Sequence, residues 1–338
     1  MKRIYKISLA VVLSFLLAAC SSNSVSNTQS SVSDTTGYPI TIEHAFGKTV
    51  LDQKPERVAT ISWGNQDVPL ALGVVPVGVS RANFGTVNEN GLHSWTQKAF
   101  DELGVKDPIV FDDTDGLDFE AIADTNPDVI LAAYSGLTQE DYDTLSQIAP
   151  VIAYPEKAWQ TLWREQVLLD AKGMGMEEEG KQLVSDTEKM IQDKTKEYSQ
   201  LEGKSAAFIW VDATDTGSFY VYLPKDPRAA YLTDLGLSFP ETLNEQIKDS
   251  DDFFVSLSSE YADLLNDVDI LVTYGDSSTL DLLQKDALFG KIDAVQKGSV
   301  VVLENDGELA GAATPTVLSI QATLDDYLQK LADAADKV

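Results

Sequence analysis

Few residues in this chain could carry covalent or metal chemistry. Its 338 residues hold one cysteine and two histidines, His44 and His93. Internal disulfides are therefore excluded, and a Ser/His triad or a His-built metal centre has almost nothing to draw on. No Gly-x-Ser-x-Gly elbow, phosphate-binding loop or His-Glu-x-x-His string occurs, which removes the usual hydrolase, nucleotide and zinc-protease readings. The run Asp112-Asp113-Thr114-Asp115-Gly116 has the composition of a calcium loop. With Gly116 in its sixth place, however, Phe111 and Ile122 would stand where acidic ligands are required, so a solvated loop is expected. Both histidines are expected on the surface, and no enzyme activity, metal centre or cofactor is expected. With 25 basic and 54 acidic residues the net charge is −29, and such a polyanion does not hold nucleic acid by neutralising phosphates.

The remaining chemistry is that of aromatic walls and hydrogen-bonding tips. Trp63, Tyr134, Tyr154, Trp210 and Tyr274 stand at the carboxyl ends of β-type runs, and Trp159 lies just beyond another. Tyr and Trp offer a flat apolar face with one polar tip, which suits a large, partly apolar ligand. The runs that position them are Arg57 to Trp63, Val74 to Val79, Val129 to Ala133, Val151 to Tyr154, Ser205 to Val211, Ile270 to Tyr274 and Val300 to Leu303. Helical patterns at Phe119 to Asp124, Gln139 to Ile148 and Ser256 to Leu265 alternate with them, which predicts βα units and largely parallel sheets. Met176 to Gln200 is charged and helix-favouring, without proline, and predicts one long helix dividing the chain.

The halves repeat one another. Tyr134 follows Glu120 by 14 residues, and Tyr274 follows Glu260 by the same 14; Trp63 and Trp210 each lie six residues after a basic residue, Arg57 or Lys204. Duplication of one lobe accounts for both pairs. The fold predicted is α/β: two similar Rossmann-like lobes, residues 38–175 and 201–338, joined by the helix 176–200, with a ligand cleft between the lobes where strand ends face one another.

The first 19 residues read as a secretory signal, with a basic start at Lys2, Arg3 and Lys6 and an apolar run from Ile7 to Ala19. The only cysteine, Cys20, directly follows Leu17-Ala18-Ala19, and this string resembles a bacterial lipobox. Lipidation of Cys20 would anchor the chain, and residues 20–37, rich in Ser, Asn and Thr, would form a flexible tether. Removing residues 1–19 takes away three basic groups and no acidic one, leaving 22 against 54 and a net charge of −32.

Several segments in order resemble the substrate-binding lipoproteins of bacterial iron-siderophore ABC importers. They are Lys54-Pro55-Glu56-Arg57-Val58, Ala71-Leu72-Gly73-Val74-Val75-Pro76-Val77-Gly78-Val79, Asn126-Pro127-Asp128-Val129-Ile130-Leu131, Ile148-Ala149-Pro150-Val151, Asp234-Leu235-Gly236-Leu237, Asp269-Ile270-Leu271-Val272 and Ala294-Val295-Gln296-Lys297-Gly298. The resemblance implies two lobes bridged by one helix, little hinge motion, and a glutamate on each lobe that salt-bridges permease arginines. Glu120 and Glu260 match by position and are the pair that the repeat singles out. Arg81 resembles the cleft arginine of hydroxamate binders, and Tyr222, Lys225 and Arg228 follow a strand within reach of the same cleft. The expected function is thus a monomeric, lipid-anchored, extracellular receptor. It would take a pre-chelated ferric siderophore, hydroxamate-type favoured, on Trp63, Arg81, Tyr134, Trp159, Trp210, Tyr222, Arg228 and Tyr274, and pass it to an ABC permease with its ATPase. A haem or cobalamin receptor of the same architecture, or a surface interaction lipoprotein, is the alternative. Two departures from the hydroxamate-binder pattern stand out: no Trp lies in Glu304-Asn305-Asp306-Gly307-Glu308, and Phe253-Phe254 stands where some members carry Trp.

Overall fold

The computed structural model describes residues 37–212, 214–247 and 250–338. The signal-like run, Cys20 and the segment through Thr36 lie outside the described residues.

An antiparallel hairpin comes first, β1 (Ile40–His44) and β2 (Gly47–Leu51). The first large sheet contains β3 (Val58–Thr60), β4 (Gly78–Ser80), β5 (Val110–Phe111), β6 (Val129–Ala132) and β7 (Val151–Ala153). Its order is β5-β4-β3-β6-β7 and every pairing is parallel. β3, β4, β6 and β7 are buried throughout, as continuous apolar strands covered on both faces must be. The hairpin is fastened beside β7, where Thr49 Oγ1 donates to the Val151 carbonyl at 2.6 Å and pairs with His44 Nε2 at 3.0 Å. His44 is therefore buried rather than exposed, because its ring closes the seam between hairpin and sheet.

The second sheet contains β8 (Ala206–Asp212), β9 (Asp215–Tyr222), β10 (Phe254–Ser258), β11 (Ile270–Gly275) and β12 (Val300–Glu304), in the order β10-β9-β8-β11-β12. β8, β11 and β12 are parallel, and β11 sits between its two partners as β6 does between β3 and β7. The internal repeat thus holds in three dimensions for the half of each sheet that carries Glu120 and Glu260. The other half diverges. β8 turns directly into β9, with Asp212 opposite Asp215, and so short a turn can join only antiparallel strands. The predicted helix Ser256 to Leu265 is also corrected: Val255 and Leu257 pair with Val221 and Phe219 as strand, and a 3₁₀ turn follows at Ser259–Leu265, with Ser258 accepting from the Glu260 N–H.

The helix between the lobes spans Glu177–Thr195, shorter than the segment 176–200, and a 3₁₀ turn follows at Ser199–Leu201. Three glutamates occupy its first turn and Lys194 its last, both favourable to the helix dipole. Gly180 permits close approach to the Trp163–Gly173 helix, since a Cβ there would lie 2.4 Å from that of Ala171. Arg164 ties three helices together: it bonds Glu188 at 2.5 Å and Asp234 at 2.8 Å while stacking on Trp163 at 4.4 Å. Beneath these contacts a single apolar cluster runs through both lobes. Val129, Leu131 and Ile152 from the first, Phe208, Val272 and Leu303 from the second, and Ile320 and Leu324 from the last helix (Val317–Ala335) all belong to it. A continuous core opposes bending between lobes.

One buried group is unreconciled with this core. Asp170 is fully buried with no charged partner, and burial, only partly offset by the nearby Ala133 N–H, pushes its pKa well above the usual range. A carboxyl raised on folding binds more protons in the native state, so stability falls as pH rises from the unfolded value, about 3.9, toward the native one. Asp170→Asn removes that titration. Urea midpoints at pH 4.5, 5.5 and 7 are expected to vary less in the variant than in the wild type, and to be higher in the variant at pH 7.

Candidate functional site

The first sheet brings side chains from beyond the carboxyl ends of all five parallel strands to one candidate site. Ser62 and Trp63 follow β3, Arg81 and Asn83 follow β4, Asp113 follows β5, Gly136 and Leu137 follow β6, and Trp159 follows β7; together they line a cavity of about 250 Å³. This is where open parallel sheets place ligands. Ser62 and Trp159 both have left-handed backbones, with φ of +64° and +62°. For non-glycine residues that conformation is unfavourable and clusters at binding sites.

Hydrogen bonds fix these loops to one another. The Ser62 N–H donates to Ser80 Oγ at 2.8 Å, and Ser80 Oγ donates to Asp113 Oδ2 at 2.5 Å, linking the ends of β3, β4 and β5. Burial raises the Asp113 pKa, with Ser80 opposing. Asn65 does the same for β3 and β6. Its Nδ2 donates to the carbonyls of Ile61 (2.7 Å) and Tyr134 (3.0 Å), while its Oδ1 accepts from the Tyr134 N–H (3.1 Å) and from Gln166 Nε2 (3.0 Å). All four bonds that an amide side chain can make are formed. Gln166 Nε2 also donates to the Trp63 carbonyl at 3.1 Å, so one buried pair of amides sets the loops of Trp63 and Tyr134.

Below the cavity, Asp67 accepts from Trp95 Nε1 at 3.0 Å, from Thr96 Oγ1 at 2.8 Å and from Thr316 Oγ1. Thr316 caps the last helix, and Gly64 makes room for it, since a Cβ there would lie 2.3 Å from Thr316 Cγ2. Desolvation pushes the Asp67 carboxyl up to about 6 despite these donors. His93 is buried here, not exposed as expected: its ring stacks on Trp95 at 4.4 Å and meets Trp63 edge-on at 5.4 Å. Its Nδ1 lies 3.1 Å from the Thr86 carbonyl, which only accepts, so Nδ1 carries the proton. Desolvation lowers the pKa of this histidine.

The second lobe contributes a polar cluster edged with aromatic rings. Arg228 forms a two-pronged pair with Asp226, at 2.8 and 2.7 Å, and its guanidinium lies 4.0 Å over the Tyr222 ring. Asp226 is fully buried and caps the Pro227–Asp234 helix by accepting from the Arg228 N–H at 2.8 Å. Tyr274 stands edge-on to Phe84, from the loop after β4, with ring centres 5.0 Å apart. Tyr134 meets Trp159 edge-on at 5.3 Å and lies within electrostatic reach of Asp226 and Arg228 across the cleft. Burial raises the pKa of both tyrosines, so they stay neutral donors.

The structure thus brings Trp63, Arg81 and Trp159 together in one cavity, with Tyr134 against Trp159, and gathers Tyr222, Arg228 and Tyr274 into one cluster. Trp210 does not join either group. β8 continues two residues past it, and its ring packs on Tyr220 at 5.4 Å while remaining 40% exposed. Asn65, Asp67, Asn83, Asp113, Gly136, Gln166 and Asp226 were not anticipated. Only Asp226 carried a local signal, as an acidic residue before Pro227 at a helix start.

Removing the Asn65 amide leaves the Ile61 and Tyr134 carbonyls and the Tyr134 N–H unpaired in a buried place. Asn65→Ala is expected to lower stability by about 2–4 kcal/mol, more than an isolated hydrogen bond, as read by urea denaturation. An unchanged midpoint would show that the amide does not hold the loops.

Residues 58–306 match the family described as "Periplasmic binding protein". The chain is 51% identical to PiaA of Streptococcus pneumoniae TIGR4, solved in complex with ferrichrome, with a TM-score of 0.85 over 88% of this chain and 99% of that one. In Bacillus subtilis (strain 168), the iron(3+)-hydroxamate-binding protein YxeB is 22% identical over 312 residues, 90% of each protein. The probable siderophore-binding lipoprotein YfiY of the same organism is 27% identical over 263 residues, 77% of this chain and 74% of that protein. With a match across most of its length and two α/β lobes whose strand ends surround a preformed site, this chain belongs to the periplasmic binding protein family.

Proposed function

We propose that this chain is the receptor of an iron-siderophore ABC importer, held outside the membrane by lipid on Cys20, and that it binds a ferric hydroxamate chelate between its lobes. It is a binding protein rather than an enzyme. The observation that carries the reading is that the aromatic cleft has no excess of cations. Arg228 is matched by Asp226, and Arg81 shares its cavity with Asp113 and Asp141. No group of three or more His, Cys, Asp or Glu side chains able to hold a metal ion occurs among the described residues. Such a cleft suits iron already saturated by a chelator, and a neutral chelate at that. A ferric trihydroxamate is neutral, whereas a ferric tris-catecholate is strongly anionic and calls for an excess of cations. The N–H groups that Arg228 does not give to Asp226 remain able to donate to chelate oxygens. The ligands named for PiaA and YxeB support the same chemistry.

Delivery requires a docking face. Glu120 and Glu260 are both exposed and open the turns that precede β6 and β11, strands holding the same place in the two sheets. Equivalent acids on equivalent elements suit two copies of one basic permease site, and the chain serves as a monomer.

Ferrichrome added to the protein is expected to quench tryptophan fluorescence at micromolar concentration or below, with haem, cobalamin and a ferric catecholate giving no comparable change. Trp63→Ala should weaken binding tenfold or more, since losing a large buried aromatic contact is worth about 1.5–3 kcal/mol. Saturable haem binding instead would transfer the assignment to haem. Reversing both Glu120 and Glu260 to Lys should abolish iron uptake by cells while leaving ferrichrome affinity intact; uptake at the wild-type rate would remove them from docking.

A further inference from the structure

The turn that carries Trp159 follows β7 and reads Pro155-Glu156-Lys157-Ala158-Trp159-Gln160. A tryptophan at φ +62° sits about 1–2 kcal/mol above its ordinary conformations, so neighbouring contacts must hold it. Its own lobe supplies some of them. The Trp159 N–H donates to the Ser135 carbonyl at 3.1 Å, and the indole lies against Gly136, where a Cβ would come 2.5 Å from Nε1.

The remaining restraints come from the other lobe. Lys157 Nζ lies 3.0 Å from Asp251 Oδ2 and donates to the Asp251 carbonyl at 3.1 Å. Gln160 Nε2 donates to the same carbonyl at 3.0 Å. Lys225, on the Asp251 side of the cleft, takes Oδ1 at 2.6 Å. The polar residues on both sides of Trp159 therefore converge on a single residue across the cleft, beside a recess of about 360 Å³ that both lobes line. The two lysines hold the Asp251 carboxyl ionised, with its pKa lowered to about 2.

We propose that Asp251 is a positioning residue for Trp159: by anchoring Lys157 and Gln160 it holds the strained turn, and so couples the spacing of the two lobes to the shape of the ligand cavity in the first. Asp251 need not touch ligand to affect affinity. An exposed ion pair alone stabilises little, but together with the two bonds to the Asp251 carbonyl it restrains a turn already biased to relax, and losing all three lets the indole move off Gly136. The coupling is electrostatic and solvent-facing, so salt screens it. Affinity for an uncharged ligand then acquires a salt dependence that direct contacts with a neutral chelate would not produce.

The inference rests on the proposed ligand only for its affinity measurement, and a ligand-free measurement tests it separately. In the ¹⁵N–¹H spectrum of ligand-free protein, the Trp159 indole signal, assigned by its loss in Trp159→Phe, should shift and broaden in the double variant Lys157→Met/Gln160→Ala, which removes every bond from the turn to Asp251, while the other four tryptophans, of five in the chain, stay in place. Ferrichrome affinity of the double variant and of Lys157→Met should fall about 3- to 10-fold at low salt, mainly through faster release. At 1 M salt the wild type should descend to the level of Lys157→Met. An unmoved Trp159 signal in the double variant overturns the proposal, as does an affinity within twofold of wild type at low salt. A shifted indole in a protein that binds no ferrichrome would leave the clasp standing and overturn the ligand assignment instead.

Discussion

The site depends on how two neighbouring strand ends are held together. β3 and β6 lie side by side in the first sheet, and the loops leaving them must carry Trp63 and Tyr134 into one cleft without help from regular structure. Asn65 solves this by placing an amide between the loops and completing all four of its hydrogen bonds there, with Gln166 closing the arrangement onto the Trp63 carbonyl. Buried polar groups are costly when half satisfied and specifying when fully satisfied. The cavity walls are thereby fixed before any ligand arrives, which reduces the ordering cost of binding.

The same economy governs the relation between the lobes. A core cluster passes through both, Asp67 grips the cap of the last helix, and Arg164 joins the interlobe helix to Asp234. These ties cross between the lobes at separate places and include packed apolar side chains, so the cleft is a preformed groove. The cross-lobe contacts that face solvent, at Lys157, Gln160 and Asp251, are of a different kind. They are polar, screened by water and adjacent to the one tryptophan with a left-handed backbone, which makes them the part of the interface able to adjust.

Much of this arrangement was legible from periodicity. Parallel strands buried on both faces announce themselves as apolar runs, so Trp63, Tyr134, Trp159 and Tyr274 could be placed at or just past strand carboxyl ends, where the candidate site lies, from the sequence. Periodicity misleads where a strand continues past the end of its apolar run. β8 extends to Asp212 because it turns back into β9, which leaves Trp210 on the sheet beside Tyr220. It also misleads at Ser256 to Leu265, where partners on β9 outweigh local helical preference. The histidines were misplaced because residue polarity was given more weight than position: His44 shares the buried face of β1 with Ile42, and His93 stacks on Trp95 at the start of a half-buried helix.

The sequence by itself determined the fold class, the duplication with its paired Glu120 and Glu260, the paucity of catalytic chemistry and the family, because each is a property of residue type and spacing along the chain. Tertiary structure alone decided that Asn65 and Gln166 set the cavity walls, and that Asp251 reaches Lys157 and Gln160 from the opposite lobe. Lys157 and Asp251 are separated by 94 residues and Asn65 and Gln166 by 101. A hydrogen bond acts over about 3 Å of space whatever the length of chain between its partners, so no local pattern can announce it.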